Sequence, residues 1–500
     1  MKSEANKAII GSVLLVSSQL IGRLLGLVST LVLVRILIPE DFGIIAIAMI
    51  FINFFELMVV TGSSQYIIQK DTVDDDDINT CWTLDICLRA VIAVLLLIAA
   101  PFAALFFDEP RLQPVISSLC FLVIIGPFSN PEQHMHRRQQ RYDVIFIIDL
   151  LRKGISVPTT ITLALLLESY WAMVIGHLFS AVVLVIASYV LMPYRPRFTL
   201  NKVKEQWSFT KWIMFKGIIG YCRGQLDTFL VSKFFGTSQV GAYHVMKYVG
   251  TMPSSQIIGP ATQPLFATFS RNKNDKEAML EQFKLAFLVL AIIAIPLTVY
   301  VFKFSEPLVL LLMGEKWLPF HQVLGLLTIL TGSMALGNLS SHIIMAFGRV
   351  KTLFYYDIIT LVIMLCVLLS VQGFSINEFT LSRVSVDLII CTALFAYTVR
   401  VFLRASIMPY LVIIMVLLPI ALGIVKGVSW LVQDIGSNFL SIVVSSITFS
   451  LVWLAMLLVL YNVHWHKTNE GRHLAFICRS VLKSGYEYLY QRLARKSFSE

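Results

Sequence analysis

The stretch VLVRILIPEDFGIIAIA, residues 32–48, passes from one apolar run into another through an arginine, a proline, two acids and a glycine. Proline lacks the N–H that a helix interior needs, so it ends the first run, and the glycine restarts the chain after a tight turn. The result is a hairpin of two long apolar helices, expected near residues 9–37 and 43–66. The hairpin is used twice. At an offset of 198 it falls on VSKFFGTSQVGAYHV, residues 231–245, with Gly22 on Gly220, Gly26 on Gly224, Thr30 on Thr228, Arg35 on Lys233, Gly43 on Gly241 and Gln65 on Gln263. Further on, at an offset of 208, Arg141 falls on Arg349, Phe146 on Phe354 and Asp149 on Asp357. A loop insertion accounts for the changed offset.

Composition says where such hairpins live. Of 500 residues, 57% are hydrophobic and 14% charged, with a mean hydropathy of +0.78, which excludes an ordinary soluble domain. Counting runs that can cross a bilayer core, about 20 residues each, gives about fourteen transmembrane helices, the last near 437–461. The runs are long and continuous, unlike the short alternating strands of a membrane barrel. The first run reads as a retained helix and not as a cleaved leader, since no short apolar core with a small-residue cleavage site precedes it. The seven cysteines lack metal or redox spacing and read as small packing residues.

The net charge of +10 reports topology before it reports nucleic acid, and no nucleic-acid partner is expected. With the N-terminus inside and loops alternating, 26 of the 40 Lys and Arg fall in inside segments and about 7 outside. Both termini are therefore expected in the cytoplasm, with an even number of spans. Six helices followed by six make a parallel repeat about an axis along the membrane normal, an arrangement of lobes that rock around a central cavity. The expected division is a six-helix lobe in 1–192, a cytoplasmic linker in 193–207, a second six-helix lobe in 208–402, and two additional helices in 403–461. A basic amphipathic tail in 462–500 has the pattern of an interfacial helix on anionic lipid.

The residues that carry chemistry are charges inside apolar runs: Arg23, Glu56, Asp85, Arg89, Asp149, Arg152, Lys153, Lys216, Arg223, Asp227, Lys247 and Asp357. Each costs about 2.5 to 3.5 kcal/mol at the centre of an inserted helix, so they must face an interior or a wet cavity. Lys216, Gly220, Arg223 and Asp227 share one helix face, and His244 and Lys247 share another. Arg23, Lys216, Arg223 and Lys247 are candidates for a cationic cavity that receives an anionic headgroup, because Arg offers forked hydrogen bonds and Lys a point charge. Glu56, Asp227, Asp149 and Asp357 are candidates for ion coupling, Glu56 and Asp227 foremost. The competing reading is internal pairing at helical spacing, of Arg223 with Asp227 and of Asp149 with Arg152 and Lys153. The paired glycines at 22 and 26, repeated at 220 and 224, read as close helix packing. The acidic run Asp74–Asp77 reads as a solvated loop.

Other function classes find no support. No phosphate-binding loop of the GxxxxGK type, zinc-protease helix or nucleophile elbow is present, so the chain is not expected to be an enzyme, and no cofactor or metal is expected.

LVRILIPEDFG (33–43), TGSSQYIIQK (61–70), FFDEPRLQPVI (106–116) and MGEKWLP (313–319) resemble the polysaccharide-transporter branch of the multidrug/oligosaccharidyl-lipid/polysaccharide exporter superfamily. The similarity is closest to Wzx-type flippases, including the colanic acid and lipopolysaccharide exporter group. That resemblance implies a V-shaped pair of lobes in the bacterial inner membrane. It also implies a cargo of undecaprenyl-pyrophosphate-linked oligosaccharide flipped to the periplasmic leaflet, with ion antiport. A polysaccharide polymerase and a chain-length regulator are the expected protein partners. The alternatives are a drug/cation antiporter of the same superfamily, which should show an acidic aromatic cavity, and a membrane ligase or polymerase, which should carry a large catalytic outer loop.

Overall fold

The computed structural model describes residues 2–57, 66–68, 70–435 and 438–463, with all their side chains except those of 2–16, 205, 207–217, 461 and 463. The predicted tail, Gln65, Cys478 and the Lys216 side chain lie outside the described residues. Among the described residues there are helices, turns and no strands, as the long unbroken apolar runs require. In chain order the first elements are α1 (Lys2–Ile36), α2 (Pro39–Leu57), α3 (Asp75–Phe106), α4 (Leu112–Ile125), α5 (Glu132–Arg138), α6 (Tyr142–Leu167) and α7 (Trp171–Leu191). They continue with α8 (Val203–Pro253), α9 (Gly259–Arg271), α10 (Lys276–Lys303), α11 (Ser305–Leu312), α12 (His321–Thr328) and α13 (Leu330–Ala346). The last four are α14 (Val350–Ser370), α15 (Ile376–Tyr397), α16 (Met408–Val432) and α17 (Asn438–Val463).

Nine helices among the described residues are long and apolar enough to cross a membrane, or ten if the 62° bent pair Leu112–Phe128 and Glu132–Arg138 is one span. The difference from about fourteen lies largely in helices that exist where expected but carry charge along their length. α2 holds Glu40, Asp41 and Glu56, and α6 holds Asp149, Arg152 and Lys153.

The repeated hairpin is where sequence and structure meet most closely. α1 ends before Pro39, which opens α2 as a helix-starting proline. The second copy has no proline there. Its break is Gly236, at φ 83° and ψ 175°, inside what is otherwise one run from Val203 to Pro253. That backbone conformation is open essentially to glycine alone, so α8 is two limbs, 203–235 and 237–253. The second limb does not stop at Pro253; it passes through a π turn, Ser254–Ile258, into α9 and reaches Arg271.

By its internal contacts the chain forms two units. One holds the residues up to Tyr248 with Leu312–Val323 and Phe354–Arg383; the other holds Val249–Leu311, Leu324–Leu353 and the residues from Val384 on. In the first, α6 packs on α1 and α7, and α4 packs on α2, α3 and α7. Leu33, Val34, Ile44, Leu96, Leu112 and Leu119 fill the space between them. In the second, α10 packs on α13 and α16, with Phe283 stacked on Phe395 at 5.6 Å and Phe287 edge-on to Tyr410 at 5.0 Å. Aromatic pairs of this geometry add about 1 kcal/mol beyond their buried area.

The linker in 193–207 is fastened to the start of α3. Asp74 caps α3 in a reciprocal capping box with Asp77. Asp77 is fully buried against Lys70 Nζ at 2.7 Å and Tyr66, while Lys202 reaches Asp74 at 2.5 Å. Thr199 N–H donates to Thr83, Asn201 to Asp76, and Gln206 to the Asp77 carbonyl. The acidic run is thus an anchor and not a freely solvated loop. Two cations and a cap neutralise what would otherwise be a costly buried carboxylate.

Candidate functional site

A cavity of about 550 Å³ opens within the first unit. Its wall is polar on several sides: Ser29 and Thr30 from α1, Asn53 from α2, Ser156 and Thr160 from α6, Ser180 from α7. Arg152 and Lys153 enter from α6, His177 from α7, and His244 and Tyr248 from the second limb of α8. Positions 153, 156, 157 and 160 recur at helical spacing, so one face of α6 presents its cations and hydroxyls together.

The cations of this wall are held without being neutralised one for one. Arg152 pairs with Asp149 at 3.5 Å, and Asp149 also accepts from Ser18 at 3.4 Å. Lys153 Nζ donates to the Gly22 carbonyl at 2.7 Å. Arg23, the next residue on α1, lies close enough to Lys153 for the two charges to repel. Arg152 and Lys153 share one carboxylate, Asp149, and so leave positive charge at the cavity. In a partly dry site such charge attracts phosphate strongly.

The other intramembrane charges are gathered into sets of their own. Asp227 is fully buried, accepting from Lys247 Nζ at 2.6 Å, Arg383 Nε at 3.0 Å and the Tyr243 hydroxyl at 2.9 Å. Arg223 forms an ion pair with Asp357 at 3.1 Å and lies over the Tyr356 ring. The internal pair expected between Arg223 and Asp227 is therefore replaced by three pairs with longer reach. Arg89 joins Glu56 at 2.9 Å and Asp85 at 3.2 Å, two carboxylates on one guanidinium. Arg23, Arg223 and Lys247 are not part of the cavity wall itself; Arg23 stands behind it.

Three contributors escaped the sequence reading. His177 gives no signal, since a histidine in an apolar helix is usually a packed one. His244 was noted only as Lys247's neighbour on a helix face. Arg383 falls among the roughly seven outside charges of the loop count, though an arginine within an apolar run is a visible sign of a buried partner. Among the described residues no three His, Cys, Asp or Glu side chains converge to hold a metal ion.

Among the described residues, nine or ten helices able to cross a membrane, with a cavity in the first unit whose wall mixes apolar side chains with two cations and several hydroxyls, define the architecture of a multi-pass membrane protein. The solved structure of the lipid II flippase MurJ in an inward closed conformation superposes with a TM-score of 0.68, covering 90% of this chain and 98% of that one at 13% identity. The chain belongs to the family described as polysaccharide biosynthesis protein, which it matches over residues 32–322. It is similar to the teichuronic acid biosynthesis protein TuaB of Bacillus subtilis (strain 168), 24% identical over 309 residues, 61% of this chain and 64% of that protein. It is also similar to the lipopolysaccharide biosynthesis protein WzxC of Escherichia coli (strain K12), 24% identical over 67% of this chain and 69% of that protein.

Proposed function

We propose that this protein carries a lipid-linked oligosaccharide across the membrane during polysaccharide assembly. The observation that carries the reading is the cavity wall, where Arg152 and Lys153 stand among the hydroxyls of Ser29, Thr30, Ser156, Thr160 and Ser180. Fixed cations suit a pyrophosphate, hydroxyls suit a sugar, and a carrier needs both in one place. Names such as lipopolysaccharide biosynthesis protein and lipid II flippase among the similar proteins support the same class of cargo. A cationic drug would meet the wrong charge in this wall.

In full, the cargo is an undecaprenyl-pyrophosphate oligosaccharide moved from the cytoplasmic to the periplasmic leaflet of the bacterial inner membrane. Two six-helix lobes rock about the cavity, with both termini cytoplasmic and a polymerase and chain-length regulator as downstream partners. Arg152 and Lys153 receive the headgroup, while Arg23, Lys216, Arg223 and Lys247 extend the positive field. Antiport is driven through a carboxylate. Glu56 is the foremost candidate, because Glu56 and Asp85 share Arg89 and leave one carboxylate in excess, whereas Asp227 and Asp357 are each held by a fixed cation.

The test uses purified protein in liposomes holding a labelled undecaprenyl-pyrophosphate oligosaccharide, read by an impermeant reagent on the far leaflet. Protein-dependent crossing that is lost in Lys153→Ala is the expected result. Crossing by no lipid-linked saccharide, with or without an ion gradient, rejects the reading.

A further inference from the structure

Two histidines enter the cavity of the first unit, His177 from α7 and His244 from the second limb of α8. Both residues are exposed although they belong to helices within the fold, because they open on the cavity. Among the described residues neither imidazole takes part in a hydrogen bond. A histidine packed within a helical bundle ordinarily finds a carbonyl or carboxylate partner; these two face open space instead. A neutral imidazole keeps one ring nitrogen as a free acceptor, and protonation turns that nitrogen into a second N–H donor. The rings are thus placed to meet a guest and not to hold the fold.

The charges around the two rings come from several elements. α1 brings Arg23, behind the wall, and α2 brings only the neutral Asn53. α6 brings Arg152 and Lys153, with Asp149 at their back, and α8 brings the Tyr248 phenol. α4, which packs on α7, holds no charged residue, and its Cys120 thiol donates to the Ala93 carbonyl. Lys247 and Asp227 lie within electrostatic reach of His244 and are paired with each other at 2.6 Å. Among the described residues no carboxylate lines the cavity itself. The two lining cations share Asp149, so the wall presents about one net positive charge. A diphosphate diester carries a negative charge on each phosphate, and with both ends esterified neither phosphate titrates near neutral pH. The guest therefore brings more negative charge than the fixed cations match.

We infer that His177 and His244 are the proton-dependent part of the headgroup site, taking up about one proton between them when a diphosphate-linked guest enters. The inference rests on the reading of this cavity as a diphosphate site. Imidazole is the side chain whose ordinary titration, at about 6.5, falls near neutral pH. The guest's negative charge favours the imidazolium form, and the imidazolium supplies the charge and the N–H donor that Arg152 and Lys153 leave wanting. The proton comes from solvent onto a ring nitrogen and departs with the guest, so no bond of the guest is made or broken. It is distinct from an ion exchanged at Glu56. A guest linked through a single phosphate is matched by the wall cations alone and needs no such proton. The pair therefore sets a preference for diphosphate over monophosphate linkage, and sets it more strongly as pH falls.

The test is titration calorimetry of the full chain in detergent with a matched pair of short lipid-linked sugars, farnesyl diphosphate glucose and farnesyl phosphate glucose. Each is measured in PIPES and in Tris at the same pH, since the two buffers release protons with different heats. Uptake of about one proton with the diphosphate guest, none with the phosphate guest, and an affinity for the diphosphate guest that falls up to about tenfold per unit rise in pH are expected. In His177→Gln/His244→Gln the uptake and the pH slope are expected to disappear, while binding weakens about tenfold and still responds to salt through Arg152 and Lys153. Thermal unfolding checks that the double variant folds, and the comparison of the two guests on the unaltered protein needs no variant. Binding of the diphosphate guest with the same heat in both buffers overturns the inference and leaves the cargo reading standing. Proton uptake that persists in the folded double variant overturns it as well. If neither guest binds and no lipid-linked saccharide crosses in vesicles, the cargo reading falls and takes the histidine inference with it.

Discussion

Lys247 and Asp227 are twenty residues apart, on the two limbs of α8 that meet at Gly236, and their side chains close a salt bridge of 2.6 Å. Asp227 is fully buried and takes a second cation, Arg383, from α15, so three helical segments are tied at one carboxylate. Removing the shared carboxylate leaves two cations uncompensated, at a cost of about 3 to 5 kcal/mol, whereas removing Lys247 leaves Asp227 to Arg383 alone at a smaller cost. Lys247→Ala and Asp227→Asn are therefore expected to lower the thermal unfolding temperature in detergent and the amount of folded protein in the membrane. An Asp227→Asn protein of unchanged stability that loses only its response to a pH gradient would instead make Asp227 the coupling group.

Arg152 and Lys153 are expected to behave in the opposite way. Both reach a wet cavity, and a hydrogen bond to a charged group is worth about 1.5 to 3 kcal/mol. Lys153→Ala and Arg152→Ala should each weaken binding of a pyrophosphate-linked saccharide about tenfold to a hundredfold, with unfolding temperature little changed. Equilibrium binding measured at two salt concentrations checks this, since a loss carried by charge shrinks as salt rises.

Gly236→Ala is expected to destabilise the protein by about 1 to 3 kcal/mol, because the glycine's φ of 83° and ψ of 175° would be strained for any side-chain-bearing residue. No atom lies within 4 Å of the added Cβ, so the cost is conformational and not steric. Thermal unfolding beside Gly224→Ala, an open position in the helix without the unusual φ, separates backbone strain from the change of residue.

The linker anchor should be stable across the physiological pH range. The bond from Lys202 holds the Asp74 carboxyl down at about 2, against an ordinary value of 3.8. A depressed carboxyl contributes its full stabilisation above its unfolded value and loses it as pH falls toward the folded one. Thermal stability of this anchor should accordingly stay level from neutral pH down to about pH 5 and weaken only in strong acid. At neutral pH, Asp77→Ala should free the linker, read as faster tryptic cleavage at Arg195 and Arg197; unchanged cleavage would mean that the backbone bonds alone hold it.

Much of the architecture was legible in the chain. Apolar runs of membrane length and the displacement of Gly43 onto Gly241 and Arg35 onto Lys233 follow from residue type and spacing alone, because helix formation in a bilayer is dictated by the need to satisfy every backbone group within the segment. The charges inside those runs were also visible as residues that must face an interior. Their partners were not. Spacing along a helix reports only neighbours three and four residues away, and it paired Arg223 with Asp227, whereas the fold gives Arg223 to Asp357 and Asp227 to Lys247 and Arg383. Which cations line the cavity, Arg152 and Lys153, and which lie outside its wall, Arg223 and Lys247, depends on the rotation of each helix about its axis. That rotation is set by side chains from distant helices competing for the same space, a property of the assembled structure and of no local stretch of sequence.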